Sequence, residues 1–396
     1  MKTMKNVFLV AGMALTALTA CAGSKTTKLT VSGLNPAKFV STISGKKTQL
    51  YTIANKNGME VCLTNYGGRV VSLSVPDKNH KSTDVVLGYD NIAQYTDTAR
   101  TPSDYGSSVG RYANRIKDAK ITVAGKEYKL RANDAMNCLH GGGNTGWLNK
   151  VYDVKSKTDS SIVFAITAKD GENGFPGTVK STATYTVKSD NTLDIIFKAT
   201  TDKETVINMT NHSYFNLNGD PSKEGFDQVM YINADNFTPS NRFYIPTGEI
   251  KSVANTPMDF REPKVIGEAY DPTFDQIRNA TGYDHNWCLN TFKNGKGDDT
   301  QVCASLYSPK SGILLEVYTN EPGIQVYTGN FQGTGISCKH GIKYPKHVSV
   351  CFESQKYPDS PTKYAAKTKG WEISNPYLKP GEKYYSHLVY KFSVKK

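Results

Sequence analysis

The stretch "TATYTVKSDNTLDIIFKA" (Thr182 to Ala199) has the composition of a β-hairpin. Its two arms are rich in Thr, Tyr, Val, Ile and Phe, which are residue types that favour extended backbone. Between the arms, Ser189, Asp190 and Asn191 are residue types that favour a turn. The stretch therefore predicts two strands that pair with each other.

The same composition recurs from about Lys46 to the end of the chain. Short runs rich in β-branched and aromatic residues alternate with turn clusters such as "DGENGFPG" and "KNGKGDD". Further such runs are "VVSLSV", "SIVFAITA", "ILLEVYT", "IQVYT" and "HVSVCFE". There is no long helical periodicity, no repeat of fixed length and no linker that divides the region. The sequence therefore predicts one all-β domain over residues 46–396, of the size of a large sandwich.

The N-terminus has the pattern of an export signal. Residues 1–20 combine the basic Lys2 and Lys5 with "VFLVAGMALTALTA", an apolar run shorter than the ~20 residues that a membrane-spanning helix needs. The signal ends in "LTAC", which resembles a bacterial lipobox and predicts lipidation of Cys21; an ordinary secretory signal is the alternative. Residues 21–45 are rich in Ser, Thr, Lys and Gly and predict a tether. We therefore expect a periplasmic protein of the cell envelope, held at the membrane only by its lipid.

Charge and cysteine content exclude several classes of protein. The formal net charge of +12 comes from scattered lysines without a basic block, so nucleic acid is not an expected partner. The chain has 7 cysteines, of which those after Cys21 are even in number and permit disulfides, but they are too few for a disulfide scaffold. No CxxC or HxxxH spacing occurs, so the sequence carries no metal-site signature.

The stretch "INMTNHSYFNL" (Ile207 to Leu217) sets one histidine among hydrogen-bonding residues. If it is a strand, its period of two places Ile207, Met209 and Phe215 on one face. His212 then lies on the opposite, polar face. A single histidine in a strand is usually structural, so a functional role needs support from other segments.

Other polar segments supply that support, although each alone has a structural explanation such as a surface ion pair or a turn. "NCLHGG" sets its histidine beside glycines, which allow the backbone to approach a ligand closely, and "HVSVCFESQ" directs Glu353 away from the apolar face of its strand. The candidate residues from these segments are Asn114, Arg115, His140, Asp284, Gln325 and Glu353. Aromatic residues close by in the sequence are Trp147, Tyr214 and Trp287. Charged groups that bind hydroxyls, together with aromatic faces that cover C–H groups, predict a sugar site.

In this order, the motifs resemble those of the aldose 1-epimerase family, which includes the galactose mutarotases. The resemblance extends from Asn65 to Asp359. It implies a large antiparallel β-sandwich of the galactose mutarotase type, with the active site in a cleft on its concave face. It also implies interconversion of the α and β anomers of a free hexose such as galactose or glucose, without a cofactor, and we expect a monomer. The matching motifs are "NYGGRVVSLSVPD", "DVVLGYD", "VGRYANRI", "LHGG", "NHSYFNL", "YDHN", "PGIQVYTGN" and "FESQKYPD".

The resemblance further implies the roles of individual residues. Glu353 corresponds to the general base that takes the C1 hydroxyl proton, and His212 to the general acid that protonates the ring oxygen. A second carboxylate, Glu321, directly precedes the "PGIQ" motif; we favour Glu353 because of its strand face and its sequence context. The implied substrate-binding residues are Asn114, Arg115, His140, Tyr214, Asp284 and Gln325.

Three other functions compete with this one. A hexose-6-phosphate 1-epimerase would share the fold and the chemistry, but it needs extra cations, for which Arg111 and Arg115 are the candidates. A non-catalytic carbohydrate-binding lipoprotein would not need both His212 and Glu353. A glycoside hydrolase needs two carboxylates that flank the glycosidic bond, and no convincing pair is present in the sequence.

Overall fold

The computed structural model describes residues 28–101 and 104–395, and strands dominate throughout. The predicted signal peptide, residues 1–20, and Cys21 lie outside the described residues. Within the described ranges, no helix is both long enough and apolar enough to cross a membrane. The α-helices are α1 (Ile92–Thr96), α2 (Ile266–Ala269), α3 (Asp275–Ala280) and α4 (Ser360–Ala365). The 3-10 turns are Pro36–Phe39, Lys117–Ala119, Gly143–Thr145, Trp147–Asn149, Glu172–Gly174 and Lys339–Gly341.

The strands are numbered here in chain order. The first group is β1 (Ser41–Ile43), β2 (Lys46–Thr48), β3 (Leu50–Ala54), β4 (Glu60–Thr64), β5 (Arg69–Pro76), β6 (Ser82–Asp84), β7 (Ser108–Val109), β8 (Arg115–Ile116), β9 (Lys120–Val123), β10 (Lys126–Lys129) and β11 (Cys138–Leu139). The second is β12 (Asp153–Lys157), β13 (Ser161–Ala168), β14 (Val179–Val187), β15 (Thr192–Thr201), β16 (Thr205–Val206), β17 (Thr210–Asn211), β18 (Tyr214–Phe215), β19 (Val229–Ile232), β20 (Asn236–Thr238), β21 (Lys251–Ser252) and β22 (Lys264–Val265). The third is β23 (Asp284–Cys288), β24 (Phe292–Lys293), β25 (Lys296–Gly297), β26 (Ala304–Tyr307), β27 (Ile313–Thr319), β28 (Gly323–Tyr327), β29 (Val350–Gln355), β30 (Tyr377–Leu378) and β31 (Tyr384–Val394).

Three sheets build the body of the protein. The largest has 9 strands in the order β12-β13-β14-β15-β31-β27-β26-β19-β22. A 6-stranded sheet has the order β18-β29-β28-β23-β20-β21, and a 4-stranded sheet has the order β3-β4-β5-β6. The hairpin predicted from Thr182 to Ala199 is confirmed, because β14 and β15 pair antiparallel, with Val187 opposite Leu193 next to the turn.

The inner face of the 9-stranded sheet packs on the two smaller sheets. The rings of Phe215 in β18 and Tyr390 in β31 lie 4.8 Å apart, and the Tyr390 hydroxyl donates to the Phe352 carbonyl at 2.9 Å. At the 4-stranded sheet, the rings of Tyr51 and Phe164 lie 6.1 Å apart. One cluster of buried side chains runs through all three sheets, and each fully buried large apolar side chain stabilises the fold by about 1.5–3 kcal/mol. The predicted all-β sandwich is confirmed.

The segment before the sandwich is packed against it. Leu34 and Phe39 are 1% and 0% exposed, within a second cluster of buried residues, and the rings of Phe39 and Tyr95 lie 6.5 Å apart. The Asn35 side chain accepts a hydrogen bond from the backbone at the start of the turn that carries Phe39. The prediction of a tether over residues 21–45 is therefore wrong for its C-terminal part. Two apolar anchors fix a segment whose average composition is polar.

Candidate active site

A polar face extends across adjacent strands of the 6-stranded sheet. In the register of β28 and β29, Gln325 lies opposite Glu353, and in that of β23 and β28, Asp284 lies opposite Tyr327. Tyr214 of β18 lies on the other side of β29. Because side chains alternate along a strand, these residues share the face opposite the apolar core. Of these residues, Tyr214, Asp284, Tyr327 and Glu353 line a cavity of about 310 Å³.

The cavity contains most of the residues predicted from the sequence. Those that line it are Asn114, Arg115, His140, His212, Tyr214, Asp284 and Glu353. Gln325 takes part indirectly, because its side-chain amide donates a 2.7 Å hydrogen bond to Asp284 Oδ1. Lining residues that the sequence analysis did not select include Tyr89, Asp104, Tyr105, Asn149, Tyr327, Phe331, Gln332 and Cys338.

His212 lies where the chain passes from one sheet to another. The preceding strand, β17, pairs with β7, whereas the following strand, β18, pairs with β29. The His212 N–H donates to the Ser107 carbonyl and the Gly106 N–H donates to the His212 carbonyl, both at 2.9 Å. The stretch is therefore not one continuous strand, because the chain changes its pairing partner at His212, and a period of two does not reveal such a change. The residues predicted to face the core do so: Ile207, Met209 and Phe215.

His212 and Glu353 form a buried acid–base pair. Their nearest atoms, His212 Nε2 and Glu353 Oε1, are 3.4 Å apart, and the two residues are 4% and 2% exposed. Burial raises the pKa of Glu353 well above its usual value, and the charge of Asp284 raises it further. Burial lowers the pKa of His212, and the charge of Asp104 opposes this effect. Glu353 Oε2 and His212 Nδ1 have no hydrogen-bond partner among the described residues, so both can serve a ligand or a proton.

His140 is held as a neutral hydrogen-bond donor. The Asn114 N–H donates to His140 Nδ1 at 3.2 Å, and the His140 N–H donates to the Asn114 carbonyl at 3.1 Å. Burial lowers the pKa of His140 to about 3, so the ring is neutral and Nε2 carries its proton. A Cβ atom on Gly141 would lie 2.5 Å from the Gly110 carbonyl oxygen, so this glycine allows a close approach between two backbone segments, whereas the predicted approach of backbone to a ligand stays a prediction. The backbone that approaches it here is the chain's own.

The two arginines of "VGRYANRI" have different surroundings. Arg115 lines the cavity, its Nε donates to Asp134 Oδ2 at 2.7 Å, and its guanidinium lies 4.5 Å from the centre of the Tyr244 ring. Arg111 is buried outside the cavity and donates to the Pro176 carbonyl at 2.7 Å. Only Arg115 is therefore placed to contact a ligand in the described cavity.

Tyrosine and phenylalanine side chains, not tryptophans, provide the aromatic surface of the cavity. Tyr214 stacks on His212, with ring centroids 4.8 Å apart and an angle of 13° between the planes. Trp147 and Trp287, which the sequence analysis offered as a sugar platform, belong to the main core and are 1% and 0% exposed. That prediction is wrong. Trp287 stands an odd number of residues from Asp284 on the same strand, and therefore faces the opposite side of the sheet.

Asp104 is the main residue that sequence reasoning missed. It lines the cavity, and its carboxylate and one ring nitrogen each of His140 and His212 all lie within 4.8 Å of one another. No motif marks it, and its only signal in the sequence was its position shortly before "VGRYANRI".

Glu321, the alternative carboxylate, lies outside the cavity lining. It is 2% exposed, and its Oε2 accepts a 2.8 Å bond from Lys356 Nζ. Its charge is thus satisfied within the protein. The carboxylate that faces the histidine is Glu353, as the sequence analysis favoured.

Comparisons with known proteins agree with this geometry. The sequence pattern of the family described as aldose 1-epimerase matches residues 49–391. Galactose mutarotase from Bos taurus is 37% identical over 341 residues, which cover 85% of this chain and 92% of that protein. Aldose 1-epimerase from Escherichia coli K12 is 35% identical over 348 residues, which cover 88% of this chain and 96% of that protein.

Solved structures give the same result. An aldose epimerase homologue from C. elegans superimposes with a TM-score of 0.79 at 30% identity, covering 88% of this chain and 100% of that one. Galactose 1-epimerase from Lactobacillus acidophilus gives a TM-score of 0.75 at 26% identity, covering 90% and 97%. The chain therefore belongs to the aldose 1-epimerase family.

Proposed function

We propose that the protein is an isomerase that interconverts the α and β anomers of free hexoses such as galactose and glucose. The observation that carries the proposal is the pair formed by His212 and Glu353, 3.4 Å apart in a cavity lined with hydrogen-bonding and aromatic groups. Relatives named galactose mutarotase and aldose 1-epimerase, at 37% and 35% identity over most of the chain, support it.

In the proposed mechanism, the pair moves protons on two oxygens that are bonded to the same carbon. Glu353 takes the proton of the C1 hydroxyl while His212 gives a proton to the ring oxygen, and the bond between C1 and the ring oxygen breaks. Rotation about C1–C2 presents the other face of the aldehyde, and the reversed transfers close the ring. Because both oxygens belong to C1, an acid and a base that serve them must lie close together, as His212 and Glu353 do.

The pair needs one proton in total. Ring opening requires it on His212, and ring closure requires it on Glu353. Burial favours the second arrangement, because it raises the pKa of Glu353 and lowers the pKa of His212. Rates should therefore fall when the pair gains a second proton at low pH or loses its only proton at high pH. The pKa values read from such a profile belong to the pair.

Groups around the pair are suited to orient the sugar. His140 and Arg115 supply N–H donors, and Asp284 supplies a buried acceptor that is held by Gln325. The ring of Tyr214 lies against His212 and offers an apolar face to the C–H groups of a pyranose. We propose these residues, together with Asn114, as the substrate-binding set.

The charge of the cavity favours neutral sugars over sugar phosphates. Three carboxylates line it, those of Asp104, Asp284 and Glu353. The guanidinium among its lining residues is that of Arg115, which is already paired with Asp134, and no lysine of the described chain lines it. A phosphate dianion would meet net repulsion there. This favours a free-sugar epimerase over a hexose-6-phosphate 1-epimerase.

Polarimetry with the purified full chain tests the proposal. Freshly dissolved α-D-galactose and α-D-glucose should relax to their anomeric equilibrium faster than in buffer alone, whereas glucose 6-phosphate should not. Faster relaxation of the phosphate sugar alone would instead indicate a hexose-phosphate epimerase. Binding of galactose in a calorimeter without faster relaxation of any aldose would indicate a carbohydrate-binding protein.

A further inference from the structure

Asp104 places a negative charge beside both histidines of the cavity. Its carboxylate and one ring nitrogen each of His140 and His212 lie within 4.8 Å of one another. It is only partly buried, whereas both histidines are almost fully buried. A carboxylate at this distance attracts a protonated imidazole more strongly than the same pair would attract each other in bulk water, because the local dielectric constant is lower.

The backbone fixes Asp104 relative to His212. The N–H and the hydroxyl of Ser107 both donate to the Asp104 carbonyl, at 3.0 Å and 2.9 Å, which closes a turn just before β7. Gly106 and Ser107, inside that turn, exchange the backbone hydrogen bonds with His212. The turn that carries the carboxylate is therefore bonded directly to the residue that carries the imidazole.

Few groups in the described chain compete with this charge. Those that face His212 are Asp104 from the turn before β7, His140 after β11, Tyr214 of β18, Tyr327 of β28, Glu353 of β29 and, at longer range, Arg69 of β5. Burial lowers the pKa of His212, and the charge of Asp104 is the largest contribution that raises it. Arg69 acts in the opposite direction.

We propose that Asp104 is a positioning residue that favours the arrangement with the proton on His212 and the charge on Glu353, the arrangement that opens the sugar ring. The inference rests on the proposed epimerase function. Asp104 needs no contact with the substrate in this role, since it acts through the imidazole. The charge of Asp104 also raises the pKa of Glu353, but there it ranks after the charge of Asp284, whereas on His212 it is the leading charge. Loss of the Asp104 charge therefore shifts the shared proton towards Glu353, and ring opening starts from a less populated state.

The variant Asp104→Asn keeps the shape of the side chain and removes its charge. We expect kcat for galactose to fall about 10-fold, with KM changed less than about twofold. Because Asp104 raises the pKa of His212, its loss should move the alkaline limb of the kcat profile to lower pH. Asp104→Glu should restore much of the rate. Glu127→Gln, which changes an exposed carboxylate on β10, should alter neither kcat nor the pH profile.

Other outcomes overturn the inference in distinguishable ways. An unchanged kcat and pH profile in Asp104→Asn, with an active wild type, would exclude Asp104 from the proton step and leave the proposed function intact. A raised KM with an unchanged pH profile would make it a sugar-binding residue. Activity that EDTA abolishes and zinc restores in the wild type, but not in Asp104→Asn, would make it a metal ligand. A wild type that accelerates no aldose would refute the proposed function itself.

Discussion

Glu321 and Glu353 are buried to the same extent, each 2% exposed, yet their neighbours differ. Glu321 accepts a hydrogen bond from Lys356, whose charge offsets its own. Glu353 faces His212, and its second oxygen has no partner among the described residues. An incompletely paired buried carboxylate lowers the free energy of unfolding. Proteins retain such groups mainly at functional sites, and Glu353 lies in the cavity. This contrast supports Glu353 as the base.

The two residues provide a matched pair of variants. Glu353→Gln should lower kcat by at least ~10²-fold, because an amide cannot accept the C1 hydroxyl proton, and it should not lower the unfolding midpoint, because it removes a buried and incompletely paired carboxylate. Glu321→Gln should keep the activity and lower the free energy of unfolding by about 2 kcal/mol, because Lys356 loses its anion. Polarimetry and urea unfolding measure the two effects. The opposite pattern would make Glu321 the base.

Predictions for individual residues succeeded where a sequence motif identified the residue, and they failed where the orientation of the side chain decided its role. His212 and Glu353 were selected from their motifs and do meet in one cavity. The two tryptophans were selected only for closeness in sequence, and Asp104 was not selected at all. Closeness in sequence does not determine which face of a strand a side chain occupies. Nor does it show which turn the fold brings to the cavity.

At the scale of elements, the loop after β11 depends on backbone conformations that favour glycine. His140 and the three glycines after it have φ angles of 51°, 71°, 111° and 58°. Gly141→Ala should lower the free energy of unfolding by about 3 kcal/mol or more and abolish activity, because its Cβ would meet the Gly110 carbonyl oxygen at 2.5 Å. Gly125→Ala is the control: its φ is +76°, but nothing lies within 4 Å of the added atom, so about 1 kcal/mol is expected. Equal losses in the two variants, measured by urea unfolding, would show that clash is not the cause.

Strand ends were less predictable than strand centres. "SIVFAITA" and "ILLEVYT" match β13 and β27 from end to end. The run "HVSVCFE" enters its strand only at Val350, because pairing with β18 begins there and pairing with β28 begins one residue later. Long runs of β-branched residues determine where a strand must exist. The pairing partner determines where it starts, and no local pattern encodes the partner.

A second element-scale prediction concerns His387 on β31. Its Nδ1 lies 2.7 Å from Asp299 Oδ2 and its Nε2 lies 3.2 Å from Asp194 Oδ2. Burial alone would lower the pKa of His387, but its hydrogen bonds to these carboxylates raise it overall. Since the folded state binds this proton more tightly than the unfolded state, the stabilisation is present below the unfolded pKa of ~6.5 and is lost as pH rises through the folded pKa.

His387→Gln should therefore cost about 1 kcal/mol of unfolding free energy at pH 5.5 and clearly less at pH 9, a modest value because the cluster is partly open to solvent. His80→Gln, at an exposed turn position, is the control for the loss of an imidazole outside this cluster. Urea unfolding at both pH values measures the difference. An equal cost at both would mean that the neutral ring, not its charge, stabilises the fold.

For the whole molecule, composition indicated the fold class but not the order of the strands. β31, near the C-terminus, lies between β15 and β27 at the centre of the 9-stranded sheet. Pairings this distant in sequence leave no local signal, so neither the order nor the packing partners could be predicted. For the same reason the contact of Phe39 with Tyr95 was missed, and part of a packed segment was predicted to be a tether.

The last prediction concerns the N-terminus, where we propose that Cys21 anchors the protein in the cell envelope through a lipid. The full chain, expressed in a bacterium, should fractionate with membranes, because an acyl chain on Cys21 would bind it to the bilayer. Cys21→Ser removes the acceptor thiol and should release the protein into the soluble fraction. Cys288→Ser, which changes one of the free thiols of the described chain, should stay with the membranes. Activity towards free aldoses should be the same in both variants, since Cys288 does not line the cavity and Cys21 lies outside the described residues. Cys21→Ser that remains in the membrane fraction would refute the anchor without affecting the proposed reaction.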